Sequence, residues 1–165
     1  MDDFRIAQLL QAALGFYELG MWQEACGELD QIAPESPHYI DVLKLRLAIL
    51  NGMKRWESAA ILAESVIAKG TEDGDFYLAG AYAVRRARTI TDAKALLVKG
   101  EALLHGQAIW HYNLACYDCQ LGELEAAKIR LHRAFALDDK YRLLALDDED
   151  LKPLWGFAKN RVGRS

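Results

Sequence analysis

The run Tyr112-Asn113-Leu114-Ala115-Cys116-Tyr117-Asp118-Cys119-Gln120-Leu121-Gly122-Glu123-Leu124-Glu125-Ala126-Ala127, closed by Ala134 and Leu137-Asp138, sets small and apolar residues at helical spacing on both sides of a Leu-Gly break. Its last alanine is the fourth of a series: Ala25, Ala59, Ala93 and Ala127 follow one another every 34 residues, with no insertion between them. Three residues earlier the period passes through Trp22, Trp56, Ile90 and Leu124; four later through Leu29, Ala63, Leu97 and Leu131; seven later through Ile32, Val66, Gly100 and Ala134. Offsets of three and four belong to one face of a helix, so each repeat ends in an amphipathic helix with a narrow seam of small residues. The first half of each repeat has its own seam, at Leu9, Ala12, Ala13, Phe16, at Leu43, Arg46, Leu47, Leu50 and at Tyr77, Gly80, Ala81, Val84, broken only by Arg46. Gly20, Gly122 and Asn51-Gly52 mark turns between paired helices, while Pro34 with Pro37 and the stretch Gly70 to Gly74 end the first and second pairs. A period of this length predicts an all-α solenoid of stacked helix pairs.

Composition agrees. Of 165 residues, 52% are hydrophobic and 27% charged, with only 3 prolines and 12 glycines, which suits a helical core. The formal charge of -4 is mild and interleaved, without the polybasic tract that nucleic-acid phosphates or an anionic membrane would need. Asp2 and Asp3 precede the first apolar residues, unlike the basic start of a secretory signal, and no apolar run reaches membrane-spanning length. Three cysteines, an odd number, suit reduced thiols, so the expected location is cytoplasmic.

The spacing and the Leu-Gly, Ala and Leu-Asp positions resemble the tetratricopeptide repeat family over residues 6 to 141. The third copy departs most, with Arg88 where glycine is usual and Gly100 inside the second helix. The expected fold is a right-handed α-solenoid filling residues 1-165 as one domain, with repeats at about 6-39, 40-73, 74-107 and 108-141 and a capping segment at 142-165. Leu151, Leu154, Trp155 and Ala158, behind the acidic run Asp147 to Asp150, predict one capping helix over the last apolar seam. That closing segment is similar to those of small bacterial repeat proteins.

What the resemblance implies about function is a concave groove lined by the second, fifth, ninth and twelfth residues of each repeat. Here these are Ala7, Leu10, Leu14, Tyr17; Asp41, Lys44, Ala48, Asn51; Asp75, Leu78, Tyr82, Arg85; and Ile109, Tyr112, Cys116, Cys119. Eleven of the sixteen are apolar, aromatic or cysteine, whereas an idle face would be charged. The candidate partner-binding residues are therefore Leu10, Leu14, Tyr17, Lys44, Asn51, Leu78, Tyr82, Arg85, Ile109, Tyr112, Cys116 and Cys119, with Arg86 just beyond. Apolar residues at one end and Arg85, Arg86 and Arg88 toward the other predict a directional ligand, acidic where it meets the arginines. The Lys-Asn-Arg clamp of chaperone-tail receptors does not map: Leu10, Leu14 and Leu45 stand at its positions in one register, Ala48 and Ala79 in the other. The implied partners are one or more proteins or peptides, a second copy of the chain as a homodimer included, with no nucleic acid and no membrane.

Three functions differ in kind: a protein-interaction adaptor or scaffold, a chaperone like those of type III secretion with an apolar client, and a thiol redox protein using Cys116 and Cys119. That Cys-x-x-Cys lies inside a helix, away from the dipole that stabilises a thiolate, and lacks a second ligand pair for zinc. His111 and Asp118 are polar residues at packing positions, but seven residues along a helix separates them by about 10.5 Å, too far for a catalytic pair. No phosphate loop, nucleophile elbow or paired-carboxylate signature is present, so the expectation is no enzyme, no cofactor and no metal.

Overall fold

The computed structural model describes residues 1–162. Among the described residues there are eleven α-helices and one 3-10 segment: α1 (Asp3–Glu18), α2 (Trp22–Leu29), α3 (Tyr39–Gly52), α4 (Trp56–Ala68), α5 (Asp75–Ala87), α6 (Ile90–Lys99), α7 (Glu101–Leu104), α8 (Ala108–Gln120), α9 (Leu124–Leu137), α10 (Lys140–Asp147), a 3-10 helix (Glu149–Leu154) and α11 (Trp155–Val162). There is no strand among the described residues, and no helix is long and apolar enough to cross a membrane.

The 34-residue register is visible in the helix starts. Trp22, Trp56, Ile90 and Leu124 each open the second helix of a pair. Three residues on, Ala25, Ala59, Ala93 and Ala127 are all fully buried, as are Leu29, Ala63, Leu97 and Leu131 after them. The pairs α1/α2, α3/α4, α5/α6 and α8/α9 pack internally, and α2 with α3, α4 with α5 and α6 with α8 join each pair to the next. Small residues at these crossings let backbones approach, and the larger side chains of the core, Phe76, Leu97 and Leu114 among them, fill the space between pairs at roughly 1.5–3 kcal/mol each. Among the described residues the core forms three clusters: one around the first repeat, a central one over repeats two and three, and one joining α8 and α9 to the C-terminal segment.

The turns inside the pairs differ from the sequence expectation in one place. Gly20 (φ 72°) and Gly122 (φ 80°) are left-handed, but in the second repeat that conformation falls on Lys54 (φ 59°), 34 residues after Gly20. Gly52 instead ends α3, where a Cβ would lie 2.6 Å from the Trp22 ring, so its lack of a side chain serves a close approach rather than a turn. In the third repeat Arg88 takes an extended-side φ of -133°, and its guanidinium bonds Glu57 and Glu64 of α4, while the Thr89 hydroxyl accepts from the Asp92 amide to cap α6. Gly100 separates α6 from α7; a Cβ there would meet Tyr77 at 2.8 Å. Arg46, the one break in the first-helix seams, is half-buried and reaches out to Asp30 at 2.5 Å.

The cap is also built differently from a single helix. After α10 the chain enters the 3-10 helix, whose start is capped by the Asp148 carboxylate accepting from the Asp150 amide (3.0 Å), and only from Trp155 does it become α-helical. Pro153, which has no amide hydrogen, sits inside the 3-10 stretch and explains the break. Leu151, Leu154 and Ala158 are buried as expected of a capping face, whereas Trp155 is half-buried with its indole N–H on the Asp148 carbonyl. The last three residues of the expected segment 142-165 lie outside the described residues.

Candidate partner-binding face

The ninth residue of each repeat tests the groove most directly, because it recurs as Leu14, Ala48, Tyr82 and Cys116 along the first helices. Leu14 is 38% exposed and Tyr82 44%, and Ala48 is half-buried, but Cys116 is only 5% exposed. The face is open over three repeats and closed over the fourth. What closes it is the C-terminal segment, whose 3-10 helix lies against α8.

The closure is polar at its edge and apolar beneath. Tyr112 donates its hydroxyl to Asp148 (2.8 Å), the Cys116 thiol points at the same carboxylate (3.7 Å), and the Gln120 amide donates to the Asp150 carbonyl (2.9 Å). Arg85, reaching from α5, grips Asp150 with two N–H groups, the second at 2.7 Å. Burial and then the Asp148 bond push the Tyr112 hydroxyl far above the usual tyrosine range. Burial is likewise the main cause that raises the thiols of Cys116 and Cys119, with Asp148 and Asp150 adding to it. Cys116, Asp148 and Asp150 bring a sulfur and two carboxylate oxygens within 4.8 Å of one another, a set with metal-ligand chemistry. Its acceptors are already engaged by Tyr112, Arg85 and the segment's own amide.

Placing each predicted residue gives a clear division. Tyr112, Cys116 and Cys119 are buried under the C-terminal segment, which removes them from the accessible surface, and Arg85 is tied to it. Ile109, at the start of α8, stays 38% exposed. Leu10 and Tyr17 pack partly on the first cluster, Tyr17 against the Trp22 ring at 5.7 Å between centroids, and Leu78 packs on the central one. Asn51 donates to the Ala79 carbonyl (3.3 Å), linking α3 to α5. Lys44 sits between Asp73 (2.9 Å) and Asp75 (2.8 Å), whose hydrogen bonds raise it to about 12. Arg86 is exposed and stacks on Tyr82, 3.4 Å from its ring centroid, with the Trp56 ring at 5.4 Å.

Two sets of partners escaped the sequence reading. Asp148 and Asp150 looked like the acidic start of a helix, and nothing in a 34-residue period connects position 150 to position 85. Trp56 belongs to the periodic seam, yet its ring also meets Tyr82, 5.8 Å away in an edge-on contact across repeats. The polar residues at packing positions separate: Asp118, 1% exposed, is held by Lys94 (2.8 Å) and Arg130 (3.0 Å), while the His111 ring bonds the His105 carbonyl at 2.7 Å.

No protein-family profile matches the chain, and no curated protein does. Among solved structures it is similar to the MamA RS-1 ArsTM double mutant, at 17% identity and a TM-score of 0.69, covering 85% of this chain and 79% of that one. It is also similar to MamA 41-end from Desulfovibrio magneticus RS-1, at 18% identity and a TM-score of 0.68, covering 82% and 76%. MamA is a tetratricopeptide-repeat protein. With that likeness, the unbroken 34-residue register and the buried alanine seam, the chain has the fold of a tetratricopeptide helical-repeat solenoid with a C-terminal cap.

Proposed function

We propose that the chain is a protein-interaction module that receives an extended or helical segment of a partner protein on the first-helix face of repeats one to three. The observation that carries this is the ninth repeat position, where Leu14 and Tyr82 are open to solvent in line with Ala48. Apolar and aromatic side chains left exposed in a row across packed helices form the kind of surface whose covering drives association. The cap limits the face at its far end, so a partner has three repeats to lie across. An adaptor or scaffold role follows, with binding as its whole chemistry.

The secretion-type chaperone reading uses the same face and differs only in the client. The thiol reading has less support: exchange needs a thiolate, and burial holds Cys116 and Cys119 as thiols. The test is capture of a partner from the native host, its identification, and measurement of its affinity for purified chain. Leu14→Asp, at an exposed position, with Ala48→Asp, at a half-buried one, should weaken that affinity at least about tenfold while the helical circular-dichroism spectrum at room temperature is retained. Undiminished affinity in the double variant sinks the proposal, and a captured client exported through a dedicated apparatus selects the chaperone reading.

A further inference from the structure

Arg86 differs from the other cations of the first-helix face. Lys44 is taken by Asp73 and Asp75, and Arg85 by Asp150. Among the described residues no carboxylate lies within ion-pair reach of Arg86, although it is exposed on α5. It is nevertheless held: one Nη donates to the Tyr82 carbonyl (3.1 Å), and the guanidinium lies 3.4 Å from the Tyr82 ring centroid and 5.4 Å from that of Trp56. Stacking engages the face of a guanidinium and leaves N–H groups at its edge, in the fork that matches a carboxylate.

We infer that Arg86, fixed by Tyr82 and Trp56, is the anchor for an Asp or Glu side chain of the partner segment, with an apolar residue beside that acid resting on Tyr82. This builds on the reading of repeats one to three as a binding face. The chain itself displays the chemistry one residue away: Arg85 takes Asp150 through two N–H bonds, and Leu151, the next residue of that segment, is buried. A carboxylate is thus already the partner of one guanidinium on this part of α5. A carboxylate fits better than a phosphate, because a phosphate of charge near −2 calls for several free arginines. Here Arg85 and Arg88 are both committed to acids, and Glu57 and Glu64 around Arg88 would repel the second charge.

The experiment follows the Arg86 Nε–H resonance of labelled protein, assigned by its loss in Arg86→Gln, during titration with acetyl-Leu-Glu-Leu-amide, acetyl-Leu-Gln-Leu-amide and inorganic phosphate. The Glu peptide is expected to shift Arg86 and the Tyr82 ring with an affinity at least about tenfold above the Gln peptide, a margin that shrinks with added salt and disappears in Arg86→Gln. Arg86→Lys, which keeps the charge without the fork, should retain only part of the margin. Equal response to the two peptides, silence of Arg86 with both, or saturation by phosphate at lower concentration than by the Glu peptide would overturn the anchor. The Leu14→Asp and Ala48→Asp changes leave this titration unaltered, so the anchor and the wider binding face fail separately.

Discussion

A methyl group added at Gly80 would lie 2.7 Å from Cβ of Ala63 and 3.2 Å from Cδ2 of Leu96, and the first of these atoms is fixed to the backbone of α4. Gly80→Ala can be accommodated only by moving α5 away from α4, an overpacking that costs about 1–3 kcal/mol. Chemical denaturation should show this loss, and an unchanged midpoint would mean that the α4–α5 crossing is looser than its geometry. His111 gives a pH-dependent counterpart. Burial, with Arg130 and Arg133 adding to it, holds its imidazole below the usual histidine range, against the opposing hydrogen bond to the His105 carbonyl. The unfolded chain, at about 6.5, therefore takes up the proton first as pH falls. The neutral ring's contribution is complete above that value and is lost progressively as pH drops from there toward the folded pKa. Stability measured from pH 8 to pH 5 should fall more steeply for the natural chain than for His111→Gln; parallel curves would remove His111 from the balance.

At the scale of the element, the helix starts and their buried seams were legible because one chemical requirement, a small residue at a close crossing, repeats at a fixed interval. Ala25, Ala59, Ala93 and Ala127 report it without reference to the rest of the chain. What was not legible was non-periodic. Lys54 adopts a left-handed conformation usually left to glycine, at the turn position that Gly20 and Gly122 hold in the first and fourth pairs, and the nearby Gly52 answers to the Trp22 ring instead. The face of α8 read as open because position alone places it there, whereas its cover comes from a segment outside the repeats that begins with an aspartate cap and breaks at Pro153. That cover has a measurable role. Leu151 is 1% exposed, so Leu151→Ala should cost about 2–5 kcal/mol. It should also speed alkylation of Cys116 and Cys119, which the same segment shields. Unaltered labelling together with unaltered stability would detach the 3-10 helix from the core.

Across the whole molecule the ion cluster of Asp118, Lys94, Arg130 and Glu123 ties α6, α8 and the turn into α9 together, so the third and fourth repeats share polar as well as apolar contacts. Removing residues 147 to 165 uncovers Tyr112, Cys116 and Cys119 at the far end of the stack. A truncated chain should then self-associate, visible as a mass above the monomer in light scattering at concentrations where the full chain shows no such increase. A truncated chain that neither associates nor loses stability would contradict the capping role.

The three-part core has a consequence in time rather than in space. The first cluster rests on α1 and α2, which pack chiefly against each other and α3, while α8 is enclosed by α6, α9 and the C-terminal segment. In a linear array of nearest-neighbour contacts, a pair flanked on one side opens more often than one flanked on both. Backbone amides should therefore exchange with deuterium in a gradient, fastest in α1 and α2 and slowest in α8. A single uniform rate would instead describe one cooperative block. Since the proposed partner lies across this readily opening pair, binding would close it, and the slowing of exchange in α1 would register occupancy of the face before the partner's own structure is known.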